Sequence, residues 1–267
     1  VDQKVNIGSA FFQNEWKNEH WGFLIGGRLD KHNLIDHVIF SPRANLRYNP
    51  TENINLRFSY SSGFRAPQAF DEDLHVENVG GNVAMVELAD NLKEERSQSL
   101  SASADIYHRF GAFQVNFLVE GFYTKLSDVF ALTDGEIVDG ILTRTRYNAP
   151  GARVMGLTLE GKMAYAWLQL QAGATIQRSR YKEAVTWSET NPDLPAQKKM
   201  FRTPDVYGYF TSTFTPVKRL AISFTGTYTG TMLVQHLAGY IPEDREEKTP
   251  DSVSYTHLRA HETAANL

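Results

Sequence analysis

The most constraining feature of this sequence is a run of alternating polar and apolar residues that doubles back within Ser41–Pro67. Asn49–Asn53 has the composition of a turn, because Pro fixes φ and Asn readily adopts turn conformations. In the half after this turn, every second residue is apolar, namely Ile54, Leu56, Phe58 and Tyr60. Side chains of a strand point alternately to its two faces. The run therefore predicts a hairpin with one apolar face and one cationic face, the latter carrying Arg43, Arg47 and Arg57.

The same pattern recurs along the chain and predicts about ten strands. The clearest further runs are Trp21–Asp30, Phe113–Tyr123, Met155–Trp167 and Leu220–Thr231. Alternate connections between strands are tight turns, whereas the intervening ones include three long irregular loops: Gln68–Asn91, Thr133–Leu142 and Lys182–Arg202. A membrane barrel sorts its connections in this way, with short turns on one side and long loops on the other.

Aromatic residues cluster near the ends of the predicted strands that carry the tight turns. They are Trp21, Tyr48, Tyr107, Phe113, Tyr165, Trp167 and Phe214. This is the position of the aromatic girdle of a membrane barrel. The pattern favours an all-β fold, an antiparallel transmembrane β-barrel. The alternative is a soluble antiparallel β-sheet binding protein, whose strands also alternate.

Composition narrows the classes of function without deciding between these two folds. A net charge of −4 and a pI near 6.1 leave no basic footprint, so we expect no nucleic-acid partner. The mean hydropathy of −0.38 does not argue against a membrane barrel, because alternating strands average out as hydrophilic. The sequence contains no cysteine nucleophile, Gly-x-Ser-x-Gly, phosphate-binding glycine loop or His-Glu-x-x-His. We therefore expect no enzyme activity, no cofactor and no metal site.

Several segments together resemble a known family. They are SPRANLRYNPTENINLRFSYSSGFRAP (Ser41–Pro67), GFRAPQAFDEDLH (Gly63–His75), LKEERSQS (Leu92–Ser99), FRTPDVYGYF (Phe201–Phe210) and YTGTMLVQH (Tyr228–His236). In this order they are similar to the barrel domain of TonB-dependent outer-membrane receptors, in particular those of Bacteroidetes-like bacteria. The resemblance covers about residues 1–245, which we interpret as a partial receptor barrel.

The resemblance implies a 22-stranded barrel in the outer membrane of a Gram-negative cell, closed by a plug domain and energised through TonB. The plug, the TonB box and the closing strands are not within this sequence, so we interpret the chain as a fragment. The implied function is active import of a scarce nutrient chelate such as a ferric siderophore, haem or cobalamin. The expected partners are outer-membrane lipid, the TonB-energised complex through the plug, and a small-molecule metal chelate. A passive porin or structural outer-membrane barrel is the alternative from another class.

Two groups of residues are candidates for the functional site. Phe70, Glu72, Asp73, His75 and Trp187 lie on the long loops and are candidates for ligand contact. The alternatives are that the acidic residues are a solvated loop entrance and that His75 is structural. Arg28, Arg43, Arg47 and Arg57 lie on the polar side of their strands and are candidates for lumen and plug contact. They would pair with plug carboxylates or with Asp30, Asp105, Glu120 and Glu160, unless water alone solvates them.

The end of the chain departs from the pattern. SYTHLRAHET (Ser254–Thr263) lacks clear strand alternation and is similar to peptides that arise from sequencing-adapter read-through. We therefore expect residues 246–267 to be a tail that is non-native and unstructured from about residue 253.

Overall fold

The computed structural model describes residues 4–67, 83–138, 141–188, 191–217, 219–236 and 241–261. These residues form strands joined by turns and loops. The strands are β1 (Ile7–Lys17), β2 (Trp21–His32), β3 (Val38–Thr51), β4 (Ile54–Arg65), β5 (Val83–Leu88), β6 (Glu95–Phe110), β7 (Phe113–Ser127), β8 (Val129–Val138), β9 (Ile141–Ala149), β10 (Ala152–Tyr165), β11 (Leu168–Val185), β12 (Gln197–Lys199), β13 (Val206–Val217), β14 (Leu220–Thr229), β15 (Leu233–His236), β16 (Arg245–Lys248) and β17 (Ser252–His261). Among these residues, no helix is long and apolar enough to cross a membrane.

One large antiparallel sheet dominates the fold. Its strands run in the order β1-β2-β3-β4-β6-β7-β10-β11-β13-β14-β17, and β12 pairs with β11. Each strand of this order hydrogen-bonds to the one before it, as in a meander, and β1 and β17 are the two open edges. The prediction of an all-β antiparallel barrel wall is confirmed, and the described strands do not close into a barrel.

The connections separate by length between the two ends of the sheet. Tight turns join β1 to β2, β3 to β4, β6 to β7, β10 to β11 and β13 to β14 at one end, which we call the short-turn end. The remaining connections lie at the opposite, long-loop end. Two predicted loops contain strands there, because β8 and β9 form a hairpin over most of Thr133–Leu142 and β5 pairs with β9. Short runs such as Val83–Leu88 gave no alternation long enough to reveal these small sheets.

The large sheet has two chemically distinct faces. Register pairs such as Phe58 with Ala102 and Leu159 with Val119 continue one row of side chains from strand to strand. Phe58 is 50% exposed and Phe117 46%, so this apolar face is not covered by other parts of the chain. The opposite, polar face carries Arg43, Arg47 and Arg57. Few hydrophobic side chains are buried in the described part of the chain, and they include Ile35, Ile39, Ala66 and Ala152.

Aromatic side chains stack at the short-turn end of the apolar face. The ring centroids of Trp21 and Tyr48 lie 4.2 Å apart, and those of Phe113 and Tyr165 lie 4.3 Å apart. Trp167 contacts Phe214 edge-on at 5.3 Å. The prediction was wrong for Tyr107, which pairs with Asn116 and donates its hydroxyl to Asp105 at 2.7 Å. Tyr107 lies two residues after Asp105 on β6, so its side chain points to the same polar face.

Two chain segments extend the sheet beyond the sequence expectation. β1 runs to Lys17 rather than ending at Gln13, and Trp16 stacks on Phe23 at 5.7 Å. At the other edge, Ser252–His261 is a strand that pairs with β14 in continuous register. The expectation of an unstructured tail was therefore wrong up to His261, because an open sheet edge offers backbone partners to any extended segment. The domain boundary near residue 245 and the foreign origin of the tail stay predictions.

Candidate functional site

The structure places three of the predicted arginines together on the polar face. Arg47 on β3 is the direct register partner of Arg57 on β4, and Arg43 lies on the same face of β3, four residues before Arg47. Two glycines of β2 leave room for their side chains. A Cβ on Gly22 would stand 3.2 Å from Arg47 Nε, and one on Gly26 would stand 3.3 Å from Arg43 Nε. The sequence signal for this arrangement is the pair of glycines on the polar side of β2.

This arginine group (Arg43, Arg47 and Arg57) lacks counter-ions within the described part of the chain. Arg43 donates to the side chain of Gln13, and neither Arg47 nor Arg57 forms an ion pair with any described residue. The Nε atom of Arg47 is buried and has no hydrogen-bond partner among those residues. Like charges directly opposite on a sheet destabilise it, and an unpaired buried donor costs about 1–3 kcal/mol. The geometry suits an anionic group that approaches the polar face.

Arg28 does not belong to this group. Its Nε donates to Asp30 Oδ2 at 2.7 Å, and Ser9 Oγ donates to the other carboxylate oxygen at 2.6 Å. Asp30 is only 1% exposed, and its hydrogen bond from Ser9 joins β1 to β2 at the long-loop end. Among the carboxylates predicted as partners, only Asp30 forms an ion pair with one of the candidate arginines in the described residues.

The carboxylates Asp105 and Glu160 are occupied by other groups on the polar face. Asp105 accepts hydrogen bonds from Tyr107 and Asn116. Glu160 forms an ion pair with Lys162 at 2.7 Å and accepts from the hydroxyl of Tyr209. This polar network runs across β6, β7, β10 and β13 beside the arginine group. It does not neutralise that group, so the hypothesis of pairing with Asp105 or Glu160 was wrong.

The predicted ligand contacts lie mostly outside the described residues, which include neither Phe70, Glu72, Asp73 nor His75. Trp187 is described and lies on the loop between β11 and β12. Its indole Nε1 donates to Glu246 at 2.7 Å, and its ring packs edge-on against Phe201 at 5.7 Å. Trp187 thus joins its loop to the β15–β16 hairpin. Ligand contact by its ring stays a prediction.

A second set of hydrogen bonds joins the segment between β11 and β13 to the β15–β16 hairpin. Ser188 Oγ donates to Asp244 at 2.7 Å, and Gln197 donates to Glu246 at 2.8 Å. Both Ser188 and Asp244 are buried. Sequence reasoning missed this joint because its partners are more than 40 residues apart. These hydrogen bonds hold the two segments together at the long-loop end.

A third cluster, also missed, ties the β2–β3 loop to the start of β6. Arg96 Nη2 lies 2.6 Å from Glu94 Oε1, and His37 Nε2 lies 3.0 Å from the same oxygen. Burial raises the pKa of the Glu94 carboxyl, but hydrogen bonds from Arg96, the backbone and His37 outweigh it and hold that pKa below its usual value. Glu94 is 5% exposed, so a buried carboxylate fixes two connections to each other.

Comparison with known proteins identifies a family that this chain matches. A family model described as "TonB dependent receptor-like, beta-barrel" matches residues 1–252. No curated protein sequence matches the chain. The narrower resemblance to receptors of Bacteroidetes-like bacteria stays a prediction.

Solved structures share the fold at low sequence identity. The siderophore receptor PirA from Acinetobacter baumannii superposes with a TM-score of 0.72 at 13% identity, covering 98% of this chain and 40% of that one. The FrpB iron transporter from Neisseria meningitidis (F3-3 variant) gives 0.68 at 14% identity, with coverages of 97% and 38%. The R480A mutant of the ferric enterobactin receptor PfeA from Pseudomonas aeruginosa, in complex with enterobactin, gives 0.69 at 15% identity, with 98% and 38%. The chain therefore spans about 40% of the length of these proteins.

Proposed function

Because the chain belongs to the TonB-dependent receptor β-barrel family, we propose that it is part of the wall of an active outer-membrane transporter. The transporter imports a scarce nutrient chelate, such as a ferric siderophore, haem or cobalamin, across the outer membrane of a Gram-negative cell. The observation that carries this proposal is the family match over residues 1–252. The similar solved structures include siderophore, iron and copper transporters, which supports a metal or a metal chelate as cargo.

The two faces of the sheet suit this role. The apolar face would contact hydrocarbon, and the polar face would line the lumen, because an arginine near the bilayer midplane on the lipid side costs about 2–4 kcal/mol. Tilted strands of about 9–11 residues cross a bilayer. β6 has 16 residues and β11 has 18, so the wall would continue above the membrane on the long-loop side.

The arginine group is the proposed docking point for the plug domain. Arg47 and Arg57 face each other without a described counter-ion, and carboxylates of a plug would neutralise both charges. Charge-assisted hydrogen bonds to carboxylates are about twice as strong as neutral ones. Releasing such bonds when TonB remodels the plug would open a path along the polar network.

Substrate capture belongs to the long-loop end in this proposal. Phe70, Glu72, Asp73, His75 and Trp187 remain its proposed ligand contacts. A Trp ring offers a large contact area at little cost in conformational entropy. The bond from Trp187 to Glu246 would hold that ring in place before the ligand arrives.

The test uses the full-length receptor expressed in a strain that lacks its own copy. Wild-type receptor should support growth on the cognate iron chelate only when TonB is present. Arg57→Glu places a carboxylate against the plug and should increase susceptibility to large antibiotics by at least about tenfold, from the loss of one or two charge-assisted bonds. Arg109→Glu, at the exposed short-turn end, is the matched control.

The two parts of the proposal fail separately. Uptake that does not depend on TonB would overturn the transporter assignment and favour a passive porin. TonB-dependent uptake with unchanged antibiotic exclusion in Arg57→Glu would overturn only the docking role of the arginine group.

A further inference from the structure

Four cations gather at the long-loop end of β7, β10 and β11. We call Lys125, Arg153, Arg178 and Arg180 the basic patch. Arg153 on β10 is the register partner of Lys125 on one side and of Arg180 on the other. Arg178 is the register partner of Met155, one alternation nearer the short-turn end. A row of positive charge therefore crosses three adjacent strands.

The basic patch lies on the apolar side of the sheet, not with the arginine group on the polar face. Alternation along β11 puts Arg178 and Arg180 on the same side as Ile176, which is 61% exposed. Arg178 also lines one groove together with Met155, Leu157 and Ile176. These cations thus share a surface with the residues proposed to contact lipid.

Their height along the strands matches a membrane boundary. Tyr165 marks the aromatic girdle on β10, and Met155 stands about ten residues before it, which is the length of tilted strand that crosses the hydrocarbon. Arg178 therefore lies at the upper edge of the apolar band, and Arg153 with its two register partners lies just beyond. This is the level of lipid headgroups in the leaflet on the long-loop side.

Nothing in the described part of the chain neutralises the basic patch. Lys125, Arg153 and Arg178 are exposed and Arg180 is half-buried, and none of the four forms a hydrogen bond or ion pair with a described residue. Lys199, the next register partner of Arg180, is by contrast paired with Asp205 at 2.6 Å. Like charges in direct register repel one another, so a bound anion would relieve the strain in this row.

An apolar groove begins at the basic patch and descends the apolar face. Its volume is about 650 Å³, and its walls include Phe58, Leu100, Tyr123 and Leu157. Gly121 forms part of the lining, and a Cβ at this position would meet nothing within 4 Å. The groove offers room for an acyl chain below a site for phosphate.

We propose that the basic patch and this groove bind a phosphorylated lipid of the outer leaflet. Phosphate groups would take charge-assisted hydrogen bonds from Arg153, Arg178 and Arg180, because guanidinium binds phosphate in a bidentate manner. One acyl chain lies in the groove over Gly121. This lipid site is separate from transport and requires neither the plug nor the arginine group.

The test measures lipid binding by native mass spectrometry of the full-length receptor in detergent. Wild-type receptor should bind diphosphoryl lipid A at least about tenfold more tightly than the dephosphorylated lipid, given the strength of charge-assisted bonds. The Lys125→Gln/Arg153→Gln/Arg180→Gln variant should lose that preference. The Arg153→Lys/Arg180→Lys variant should keep most of it, and Gly121→Leu should weaken binding by filling the groove.

A matched control removes three exposed cations from the short-turn end, as Lys17→Gln/Arg109→Gln/Arg219→Gln, and should bind like the wild type. Three results would overturn the proposal. They are equal binding of the phosphorylated and dephosphorylated lipids by wild type, equal loss in the control variant, and competition by inorganic pyrophosphate as strong as that by the lipid itself. The first comparison needs no variant, so a folding defect in a mutant cannot hide the answer.

Discussion

At the scale of single residues, small side chains decide how closely neighbouring strands and side chains approach. Gly22 and Gly26 let two arginines lie against the sheet. Gly156 on β10 has a different constraint, since a Cβ there would stand 2.6 Å from the carbonyl oxygen of Ile176 and 2.7 Å from the ring of Phe122. A backbone atom cannot move aside as a flexible side chain can. Gly156 therefore controls the pairing of β10 with β11.

We predict that Gly156→Ala destabilises the receptor by about 1–3 kcal/mol, the usual cost of overpacking. Gly161→Ala on the same strand is the matched control, because nothing lies within 4 Å of a Cβ at that position. The measurement is thermal unfolding in detergent, followed by gel mobility of the folded and unfolded forms. Equal stability of the two variants would refute the close approach at Gly156.

At the scale of elements, the joints between connections lie at the long-loop end and are made by polar side chains. Glu94, Arg96 and His37 join the β2–β3 loop to β6, while Trp187 and Ser188 join their loop to the β15–β16 region. None of these partners is near its counterpart in sequence except Glu94 and Arg96. A loop surface braced in this way can present a ligand site with little reorganisation.

The lowered pKa of Glu94 makes its joint sensitive to acid. A carboxyl group whose folded-state pKa is depressed stabilises the fold fully above its unfolded pKa, and this stabilisation is lost as pH falls through the folded value. We therefore predict that Glu94→Gln lowers stability by about 1–3 kcal/mol at neutral pH and that its difference from wild type disappears in strong acid.

Thermal unfolding at pH 7, 5 and 3 measures this difference. Glu52→Gln, in the exposed β3–β4 turn, is the control and should match wild type throughout. A Glu94→Gln defect that persists unchanged at the lowest pH would show that charge is not its cause.

At the scale of the whole molecule, the chain is a sheet with almost no core of its own. On its apolar face Phe12 is 56% exposed and Ile176 61%, and both edges of the sheet are open. Exposed apolar surface of this extent marks an interaction site or an aggregation liability. In the proposed function, hydrocarbon covers the apolar face and water or protein covers the polar face.

We predict that single cysteines report this arrangement directly, since the sequence contains none. In the full-length receptor, Phe58→Cys and Phe117→Cys should react with a lipid-soluble maleimide and resist a charged one. Ser103→Cys and Thr225→Cys, on the polar face, should react with the charged reagent once the plug is displaced. Protection of Phe58→Cys from both reagents would mean that protein, not lipid, covers the apolar face.

Except for β17, the sequence alone determined the main strands of the wall and their two faces. Alternation has a period of two, so it identifies the side on which Arg57 and Phe58 lie without any tertiary information. The tight turns and the aromatic girdle follow from local composition, and the resemblance to the receptor family rests on ordered local segments. Tyr107 is an exception. Its aromatic ring near a tight turn suggested the girdle, but its position along β6 places it on the polar face.

Only the tertiary structure decided which polar groups meet. Arg47 opposes Arg57 because of the register between β3 and β4, and Asp105 and Glu160 found other partners on strands distant in sequence. The basic patch likewise exists only because register aligns Lys125, Arg153 and Arg180 across three strands. Alternation is a local property of one strand, whereas ion pairs and grooves depend on how strands are aligned with each other.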